Sequence, residues 1–278
     1  MILGDWLHSA TARLTDAGIA TARLDCSVLL SDQLGHDRAW VLSHPDYELQ
    51  GSELEKLNTK IVQRCQHVPL AYIRGHAEFY GRDFAVNEHT LVPRPETESL
   101  IELLKRIRNR EADVLAWLLA DIGTGSGAIA ITAALELPGS TVWAADIDEQ
   151  CLETARANAA QLQAIVTLYH GNLLEAVPDL PADKTTILLC NLPYVPDDFK
   201  INTAATHEPR HALFGGADGL DLYRELFRQI IARAVQPRHI LAESLPPQHE
   251  ALAAIAKAAG YALRETDDFI QHFETESD

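Results

Sequence analysis

The feature that most restricts the fold is a glycine-rich turn between a strand pattern and a helix pattern. The segment DIGTGSG, residues 121–127, continues the apolar run VLAWLLAD and precedes AIAITAALEL. Glycine accepts strained turns and lets a ligand approach the backbone closely. We therefore predict a strand–turn–helix unit whose turn binds a ligand through Gly123, Thr124, Gly125, Ser126 and Gly127.

Strand and helix patterns keep alternating after this turn. The strand patterns STVWAAD, AIVTLYHG, TTILLCN and HILAES are interspersed with helix patterns such as EQCLETARANAAQL and LDLYRELFRQIIARAV. This alternation is typical of α/β proteins with a parallel, doubly wound sheet, which bind ligands at the carboxyl ends of the strands. The sequence therefore predicts that fold class and that location for the site.

Two acidic residues near the turn indicate the kind of ligand. Asp121 ends the first strand, where it would hold a ligand ammonium, and Asp146 ends the next strand, 21 residues after Gly125. A carboxylate at the latter place accepts hydrogen bonds from ribose hydroxyls. An acid before GxGxG suits a nucleoside that carries a cation, and S-adenosylmethionine is such a ligand. A ligand-free turn and a dinucleotide oxidoreductase are the alternatives.

The segment GNLLE adds two candidate cofactor residues. Asn172 would accept a hydrogen bond from an adenine amine, and Leu173 would pack on the base. Asparagine is also common in ordinary turns, so a purely structural role is equally compatible with this pattern.

A second turn, NLPY, follows the buried strand pattern ILLC. Asn191 offers an amide oxygen, Leu192 offers a carbonyl whose geometry Pro193 fixes, and Tyr194 offers a ring face. Two acceptors beside a ring suit a planar NH2 group, either of an amide or of adenine. We predict that these four residues hold the methyl acceptor, the alternative being an ordinary proline turn.

The chain divides into three predicted regions. Residues 1–67 carry helix patterns, residues 68–92 carry short aromatic and β-branched pieces typical of a hairpin connector, and residues 93–278 carry the alternating patterns.

Composition restricts the partners and the compartment. The 23 basic and 40 acidic residues give a net charge of −17 at pH 7. Such a chain repels phosphate backbones and anionic membranes. The four cysteines form no CxxC pair, and no segment approaches a membrane span or a signal peptide. We expect a reducing cytoplasm, no direct nucleic-acid binding and no membrane.

The segment HEPRH matches the HExxH pattern of zinc peptidases. That chemistry requires both histidines on one face of a continuous helix, which Pro209 prevents. We therefore predict no metal site here, and we interpret the segment that carries Glu208 and Arg210 as a loop beside the acceptor pocket.

Several segments together resemble one family. GTGSGAIA, AADID, NLPY, EPRHALFGGADGLDLYREL and PLAYIRGHAEFYGRDFAVNEHTLVPRPETE are similar to the protein-(glutamine-N5) methyltransferases of peptide chain release factors, the HemK/PrmC family. The resemblance covers nearly the whole chain. It implies a Rossmann-like class I methyltransferase fold, S-adenosylmethionine as methyl donor, and the glutamine of a Gly-Gly-Gln motif as acceptor.

The resemblance also implies roles for particular residues. Gly123 to Gly127, Asp146, Asn172, Leu173 and Asn191 would contact the cofactor, and Asn191 to Tyr194 would hold the glutamine. The N-terminal helices would dock the protein substrate, for which an exposed Trp6 or Trp40 would be consistent, or else only stabilise the chain. We expect a monomer.

The chain departs from the family pattern at a few positions. Leu192 replaces the first proline of the usual NPPY, Asn172 stands where aspartate is common, and LPPQ replaces a glycine-rich turn. NLPY is also what rRNA adenine-N6 dimethyltransferases carry. An RNA adenine methyltransferase and a non-catalytic S-adenosylmethionine-binding protein are therefore the alternative functions.

Overall fold

The computed structural model of the protein describes residues 1–111 and 116–276. Two compact units are present: Met1–His76 with Ile201–His207, and Ala77–Lys200 with Glu208–Asp278. The predicted strand VLAWLLAD begins at Val114, so its first two residues lie outside the described residues, as do the last two of the predicted region 93–278.

The first unit is helical, as predicted. Its helices are α1 (Leu3–Asp16), α2 (Ala22–Leu34), α3 (Arg38–Ser43), α4 (Gly51–Cys65) and α5 (Leu70–Arg74). A core of apolar side chains, among them Leu14, Leu29 and Ile61, lies between α1, α2 and α4. Helix α5 and His76 belong to this unit, beyond the predicted boundary at residue 67.

The two tryptophans of the first unit differ from the expectation of exposed docking residues. Trp6 is buried, and its Nε1 donates to Asn58 Oδ1 at 3.0 Å, so the expectation is wrong for Trp6. Trp40 is half-buried and stacks between His36 and His44, with ring centroids at 3.9 and 4.3 Å.

Two short strands form the predicted connector. Strands β1 (His76–Phe79) and β2 (Arg82–Ala85) make a two-stranded sheet. The chain turns between them at Gly81, whose φ of 68° favours glycine. The rings of Phe79 and Phe84 meet edge to face with centroids 6.2 Å apart and join the core of the second unit.

The second unit contains a seven-stranded sheet. Its strands are β3 (Trp117–Ile122), β4 (Thr141–Asp146), β5 (Thr167–His170), β6 (Thr185–Cys190), β7 (His239–Glu243), β8 (Tyr261–Asp267) and β9 (Ile270–Thr275). They are ordered β5-β4-β3-β6-β7-β9-β8. The first five are parallel, and β9 is antiparallel to both β7 and β8. The predicted α/β class with a Rossmann-like, doubly wound sheet is confirmed.

Helices cover both faces of this sheet. They are α6 (Glu98–Arg110), α7 (Ala128–Glu136), α8 (Glu149–Gln161), α9 (Arg210–Leu213), α10 (Asp221–Ile231) and α11 (His249–Ala258). Leu188 and Leu189, neighbours in β6, belong to different apolar clusters. Successive strand side chains point to opposite faces, and both faces are buried, which is why the strands are continuous apolar runs in the sequence.

The strand order indicates where a ligand site lies in the sheet. Strand β3 lies between β4 and β6, and Ile122 at the end of β3 pairs with Cys190 at the end of β6. The chain after β3 leads to α7, and the chain after β6 leads away in the other direction along the sheet. In doubly wound folds the crevice at such a reversal of strand order binds the ligand.

Membrane spans are absent from the helices of residues 1–111 and 116–276, since none combines the necessary length and apolar character.

Candidate active site

A cavity of about 740 Å³ lies at the carboxyl ends of β3, β4, β5 and β6. This volume is within the range typical of small-molecule sites. Of the predicted site residues, those lining the cavity are Gly123, Thr124, Gly125, Ser126, Asp146, Asn172, Leu173, Asn191, Leu192 and Pro193. Those not among the lining residues are Asp121, Gly127, Tyr194, Glu208 and Arg210.

The glycine-rich turn needs its glycines for two different reasons. Gly123, Gly125 and Gly127 all have positive φ, at 78°, 55° and 83°. A Cβ on Gly127 would lie 2.9 Å from Ile131 and 3.1 Å from Ala155, so this residue allows close packing of α7 and α8. A Cβ on Gly125 would meet no atom within 4 Å. Gly125 therefore leaves open space where the backbone borders the cavity.

Asp146 is held in place by the turn itself. Its Oδ2 accepts from the Gly125 N–H at 2.8 Å, and its Oδ1 accepts from the Asp148 N–H at 2.9 Å. Burial raises the pKa of this carboxyl, while these two hydrogen bonds act against the rise. Each oxygen keeps a further lone pair, so the carboxylate can accept two hydroxyl donors from a ligand.

Asp121 is fully buried beneath the turn. Its Oδ2 accepts from Thr124 Oγ1 at 2.6 Å and from the Ala130 N–H at 3.1 Å, whereas its Oδ1 is buried without a hydrogen-bond partner. Burial raises the pKa of this carboxyl from 3.8 to about 7. The structure thus places Asp121 behind Thr124, where it supports the turn, and the raised pKa leaves its carboxyl only partly ionised near neutral pH.

Asn172 and Leu173 lie where the chain leaves β5. Leu173 opens a 3-10 helix, Leu173–Ala176, with a φ of 52°, and both residues line the cavity. Ile147, directly after Asp146, lines the same cavity and is 62% exposed. Sequence reasoning missed Ile147. An exposed isoleucine beside a cavity is suited to contact a flat apolar group such as a base.

The NLPY turn presents free acceptors to the cavity. Asn191 Nδ2 donates to Thr97 Oγ1 at 3.0 Å, and within residues 1–111 and 116–276 no donor reaches Asn191 Oδ1 or the Leu192 carbonyl. The Leu192 side chain is buried, and a Cβ on Gly123 would lie 3.0 Å from its Cδ2. Leucine therefore fills the position of the usual proline by packing on the glycine turn.

Tyr194 points its polar end away from the cavity lining. Its hydroxyl donates to Glu243 Oε1 at 2.9 Å, and its carbonyl accepts from Gln248 Nε2 at 2.8 Å. Burial is the first cause that raises the pKa of this phenol, followed by the charge of Glu243. The structure thus places Tyr194 as an anchor of the turn, whereas the sequence predicted a ring face in the pocket.

Glu208 and Arg210 lie outside the cavity lining. Glu208 is buried and accepts from Arg94 Nη2 at 2.6 Å and from the Val92 N–H at 3.1 Å. Arg210 is exposed, lies 3.3 Å from Asp197, and covers the Phe214 ring at 4.1 Å. Since Glu208 pairs with an arginine and Pro209 precedes the short helix α9, HEPRH has neither the free carboxylate nor the continuous helix of a zinc peptidase.

A second glycine-rich segment closes on the NLPY turn, and sequence reasoning gave it no role. A Cβ on Gly215 would overlap the carbonyl oxygens of Pro193 and Gly219. The Gly215 N–H donates to the Val195 carbonyl at 3.0 Å, which in turn places Phe214 and Gly215 against the cavity. The signal was the dense glycine pattern FGGADG, which allows this close backbone contact.

One possible set of metal ligands lies elsewhere in the part of the chain that the structure describes. Ligand atoms of Glu111, His239 and Glu274 lie within 4.8 Å of one another. Arg238 Nη2 already lies 2.9 Å from Glu111 and 3.4 Å from Glu274. Arg264 Nε also lies 2.9 Å from Glu274, so two guanidinium groups face the two carboxylates and the cluster is an ion-pair network.

S-Adenosylmethionine suits the residues of the cavity. The open space at Gly125, the lone pairs of Asp146 and the apolar Ile147 and Leu173 match the ribose and base of a nucleoside. A cation bound at the turn would favour the ionised form of the Asp121 carboxyl behind it. The fit rests on donors, acceptors and space that the fold itself provides.

Comparisons with known proteins agree with this geometry. Residues 5–75 match the family model described as PrmC N-terminal domain, and residues 97–214 match the Methyltransferase small domain. The catalytic domain of hMettl16, solved in complex with MAT2A 3′UTR hairpin 6, has a TM-score of 0.53 at 14% identity, covers 82% of this chain and 83% of that chain, and shares the fold.

Two curated relatives carry the same description. A release factor glutamine methyltransferase of Koribacter versatilis is 39% identical over 233 residues, which are 83% of this chain and 81% of that protein. One of Moorella thermoacetica is 36% identical over 266 residues, which are 94% of this chain and 91% of that protein. The chain therefore belongs to the release factor glutamine methyltransferase family and is an S-adenosylmethionine-dependent enzyme.

Proposed function

We propose that the protein transfers the methyl group of S-adenosylmethionine to the side-chain nitrogen, N5, of the glutamine in the Gly-Gly-Gln motif of peptide chain release factors. One observation carries this proposal. Asn191 donates with Nδ2 to Thr97, which leaves Oδ1 as an acceptor, and Asn191 and Leu192 line the same cavity as the glycine turn. The names of the curated relatives support a release factor glutamine as the substrate.

Two acceptors assist the reaction because an amide nitrogen is a weak nucleophile. Its lone pair is delocalised into the carbonyl, and positive charge develops on the NH2 group as the methyl is transferred. Oxygen acceptors aimed at the two hydrogens stabilise that charge, an electrostatic effect of several kcal/mol when the acceptors are preorganised. Asn191 Oδ1 and the Leu192 carbonyl fill these roles, and Pro193 restricts the turn that holds them.

The donor half of the site binds and orients the cofactor. When bound, S-adenosylmethionine supplies a methyl group on a sulfonium centre. Asp146 accepts from the ribose, Asn172 and Leu173 contact the base, and Gly123, Gly125 and the Asp121 charge accommodate the cationic end.

Arg94 is a cation in the wall of the same cavity, and its charge opposes a cationic donor. The buried carboxylate of Glu208 lies 2.6 Å from its Nη2. This ion pair reduces the positive potential that a sulfonium would encounter. Glu208 therefore acts on the cofactor through Arg94, and Arg210 covers the ring of Phe214, which lines the cavity.

We assign each of the three predicted regions a role in this reaction. Residues 1–67 dock the release factor, residues 68–92 connect, and residues 93–278 carry out the transfer. The protein acts as a monomer in the cytoplasm, where the four unpaired cysteines remain reduced and the net charge of −17 disfavours direct nucleic-acid binding.

Labelled methyl donor tests the function directly. The protein is incubated with labelled S-adenosylmethionine and either a release factor or ribosomal RNA, and mass spectrometry locates the label. Label on N5 of the motif glutamine supports the proposal, and a release factor whose motif glutamine is replaced by alanine is the control. Label on adenine of RNA would establish the RNA methyltransferase instead, and donor binding without transfer would establish a non-catalytic binding protein.

A further inference from the structure

We propose that Gln248 is a positioning residue that fixes the direction of the Leu192 carbonyl by holding the NLPY turn against the glycine-rich segment FGGADG, residues 214–219. The inference rests on the proposed function, because it assumes that the Leu192 carbonyl accepts from the substrate amide. It deepens that function with a residue that does not line the cavity. Gln248 belongs to the LPPQ turn, where the chain departs from the family pattern.

The side-chain amide of Gln248 contacts three main-chain groups. Its Nε2 donates to the Tyr194 carbonyl at 2.8 Å and to the Asp218 carbonyl at 2.7 Å, and its Oε1 accepts from the Leu245 N–H at 2.9 Å. A carbonyl can only accept and a main-chain N–H can only donate. The amide therefore satisfies all three partners in one orientation, and the two hydrogens of its NH2 join the NLPY turn to FGGADG.

Gln248 is itself held by its own turn. It is 8% exposed and ends a short 3-10 helix, Pro246–Gln248. Its N–H donates to the Leu245 carbonyl at 2.8 Å. Proline restricts φ, so the two consecutive prolines of LPPQ limit the conformations of this turn. The NH2 group of Gln248 is therefore presented from a rigid support.

The main chains that Gln248 joins also pack closely. A Cβ on Gly219 would overlap the Tyr194 carbonyl oxygen and the Gln248 amide nitrogen. A Cβ on Gly215 would overlap the Pro193 carbonyl oxygen. Glycine at both positions thus lets FGGADG reach the NLPY turn, and Gln248 binds the two segments across this contact.

The FGGADG segment is anchored on its other side. Asp218 Oδ1 accepts from Arg224 Nη1 at 2.8 Å and from the Leu220 N–H at 3.1 Å. Arg224 belongs to α10, which packs on the sheet. Gln248 therefore connects the NLPY turn to a segment that is fixed independently of the turn.

The Leu192 carbonyl lies between two anchored points of the main chain. On one side Asn191 donates to Thr97 at 3.0 Å, and on the other side the Tyr194 carbonyl accepts from the LPPQ turn at 2.8 Å. Pro193 lies between them and has a restricted φ, so few free torsions separate the anchors. A carbonyl that is to accept from a substrate takes its direction from such neighbours, which is how an acceptor becomes preorganised.

A second anchor of Tyr194 is the competing explanation for a fixed turn. Its hydroxyl donates to Glu243 Oε1 at 2.9 Å. This bond holds the far end of the ring, whereas Gln248 holds the main chain directly. Tyr194→Phe removes the first bond and leaves the second, so we expect it to lower kcat less than substitution of Gln248 does.

Two substitutions of Gln248 give the first test. In steady-state methylation of a release factor, Gln248→Met and Gln248→Glu are expected to lower kcat by about tenfold to a hundredfold while the donor Kd changes by less than about threefold. Methionine removes the NH2 group at similar volume, and glutamate directs an oxygen at two carbonyl oxygens, so Gln248→Glu should lose more. If either variant fails to fold, the other carries the expectation.

Ile107→Ala is the control for a loss of stability alone. Ile107 is buried under α6 and lies outside the cavity lining. Urea unfolding gives the folded fraction of each variant, and calorimetry gives the concentration of sites that bind the donor. The kcat per bound donor should equal that of wild type in Ile107→Ala and should be reduced in both Gln248 variants.

NMR reports on the turn without catalysis. Pro-Tyr occurs once in the sequence, at Pro193–Tyr194, so isotope labelling of the proline carbonyl carbon and the tyrosine nitrogen yields one resonance for this peptide. The resonance should shift in Gln248→Met and stay in place in Ile107→Ala.

Three results would overturn the inference: wild-type kcat per bound donor in both Gln248 variants, a loss of activity that only follows the folded fraction, or an unshifted Pro193–Tyr194 resonance in Gln248→Met. A wild-type protein that methylates no glutamine would instead overturn the proposed function.

Discussion

Asn191 and Asp146 show how the fold fixes a side chain that must meet a ligand. Each uses part of its hydrogen-bonding capacity within the protein and keeps the rest for the cavity. Asn191 donates with Nδ2 to Thr97, and each carboxylate oxygen of Asp146 accepts one backbone N–H. The acceptors are thereby oriented before a ligand arrives, which is the condition for electrostatic preorganisation.

Asp146→Ala is expected to weaken donor binding by roughly tenfold to a hundredfold, because hydrogen bonds to a charged group contribute about 1.5–3 kcal/mol. Isothermal calorimetry with S-adenosylmethionine measures the change. Glu153→Ala, an exposed acid on α8, is the control. Equal donor affinity in Asp146→Ala and wild type would contradict the ribose contact.

Asp121 predicts a pH dependence of the ligand-free protein. Burial raises its pKa from 3.8 to about 7, so the folded state binds this proton more tightly than the unfolded chain. The resulting stability is present below about pH 4 and is lost as the pH rises through 7. The melting temperature should therefore fall less between pH 5 and pH 8 in Asp121→Asn than in wild type. Asp183 is exposed, so the melting temperature of Asp183→Asn should fall with pH as in wild type. If the melting temperature of Asp121→Asn also fell with pH as steeply as in wild type, the role of burial would be refuted.

At the scale of elements, periodicity and turn chemistry predicted most of what the structure contains. Continuous apolar runs became strands buried on both faces, and the DIGTGSG turn lies between β3 and α7 as expected. Sequence patterns could not show that Thr97 meets Asn191 across 94 residues. They also missed the Tyr194 anchor, because ring direction depends on Glu243, which is remote in the chain.

The glycine turn yields a matched pair of variants. Gly125→Ala and Gly127→Ala both place a Cβ at a positive φ, which destabilises the folded state by about 1–2 kcal/mol in each variant. Only at Gly127 does the Cβ also meet Ile131 and Ala155. Urea unfolding should show that Gly127→Ala is the less stable, whereas calorimetry should show that Gly125→Ala binds the donor more weakly than wild type. Equal unfolding midpoints would show that the close packing of α7 and α8 is unimportant.

At the scale of the whole molecule, charge separates a protein acceptor from a nucleic-acid acceptor. The net charge of −17 repels a polyanion at long range, and this repulsion does not depend on the sheet topology or on the glycine turn. The fold is shared with a protein solved on an RNA hairpin, so the choice of acceptor belongs to surface and pocket rather than to architecture.

Binding of an RNA hairpin is therefore expected to be undetectable at micromolar protein and physiological salt. Fluorescence anisotropy of a labelled hairpin provides the measurement, with a basic RNA-binding domain as the positive control. Tight binding that falls steeply with salt would reveal a basic surface strong enough to outweigh the net charge.

The most direct measurement is single-turnover methyl transfer by Asn191→Ala, combined with its donor affinity. Loss of the amide oxygen should abolish transfer to the release factor glutamine while the donor Kd stays within about tenfold, or 1.4 kcal/mol. Asn109→Ala, on the exposed surface of α6, should behave like wild type. Transfer at the wild-type rate in Asn191→Ala would contradict the claim that Asn191 and Leu192 hold a planar NH2 group beside the methyl donor.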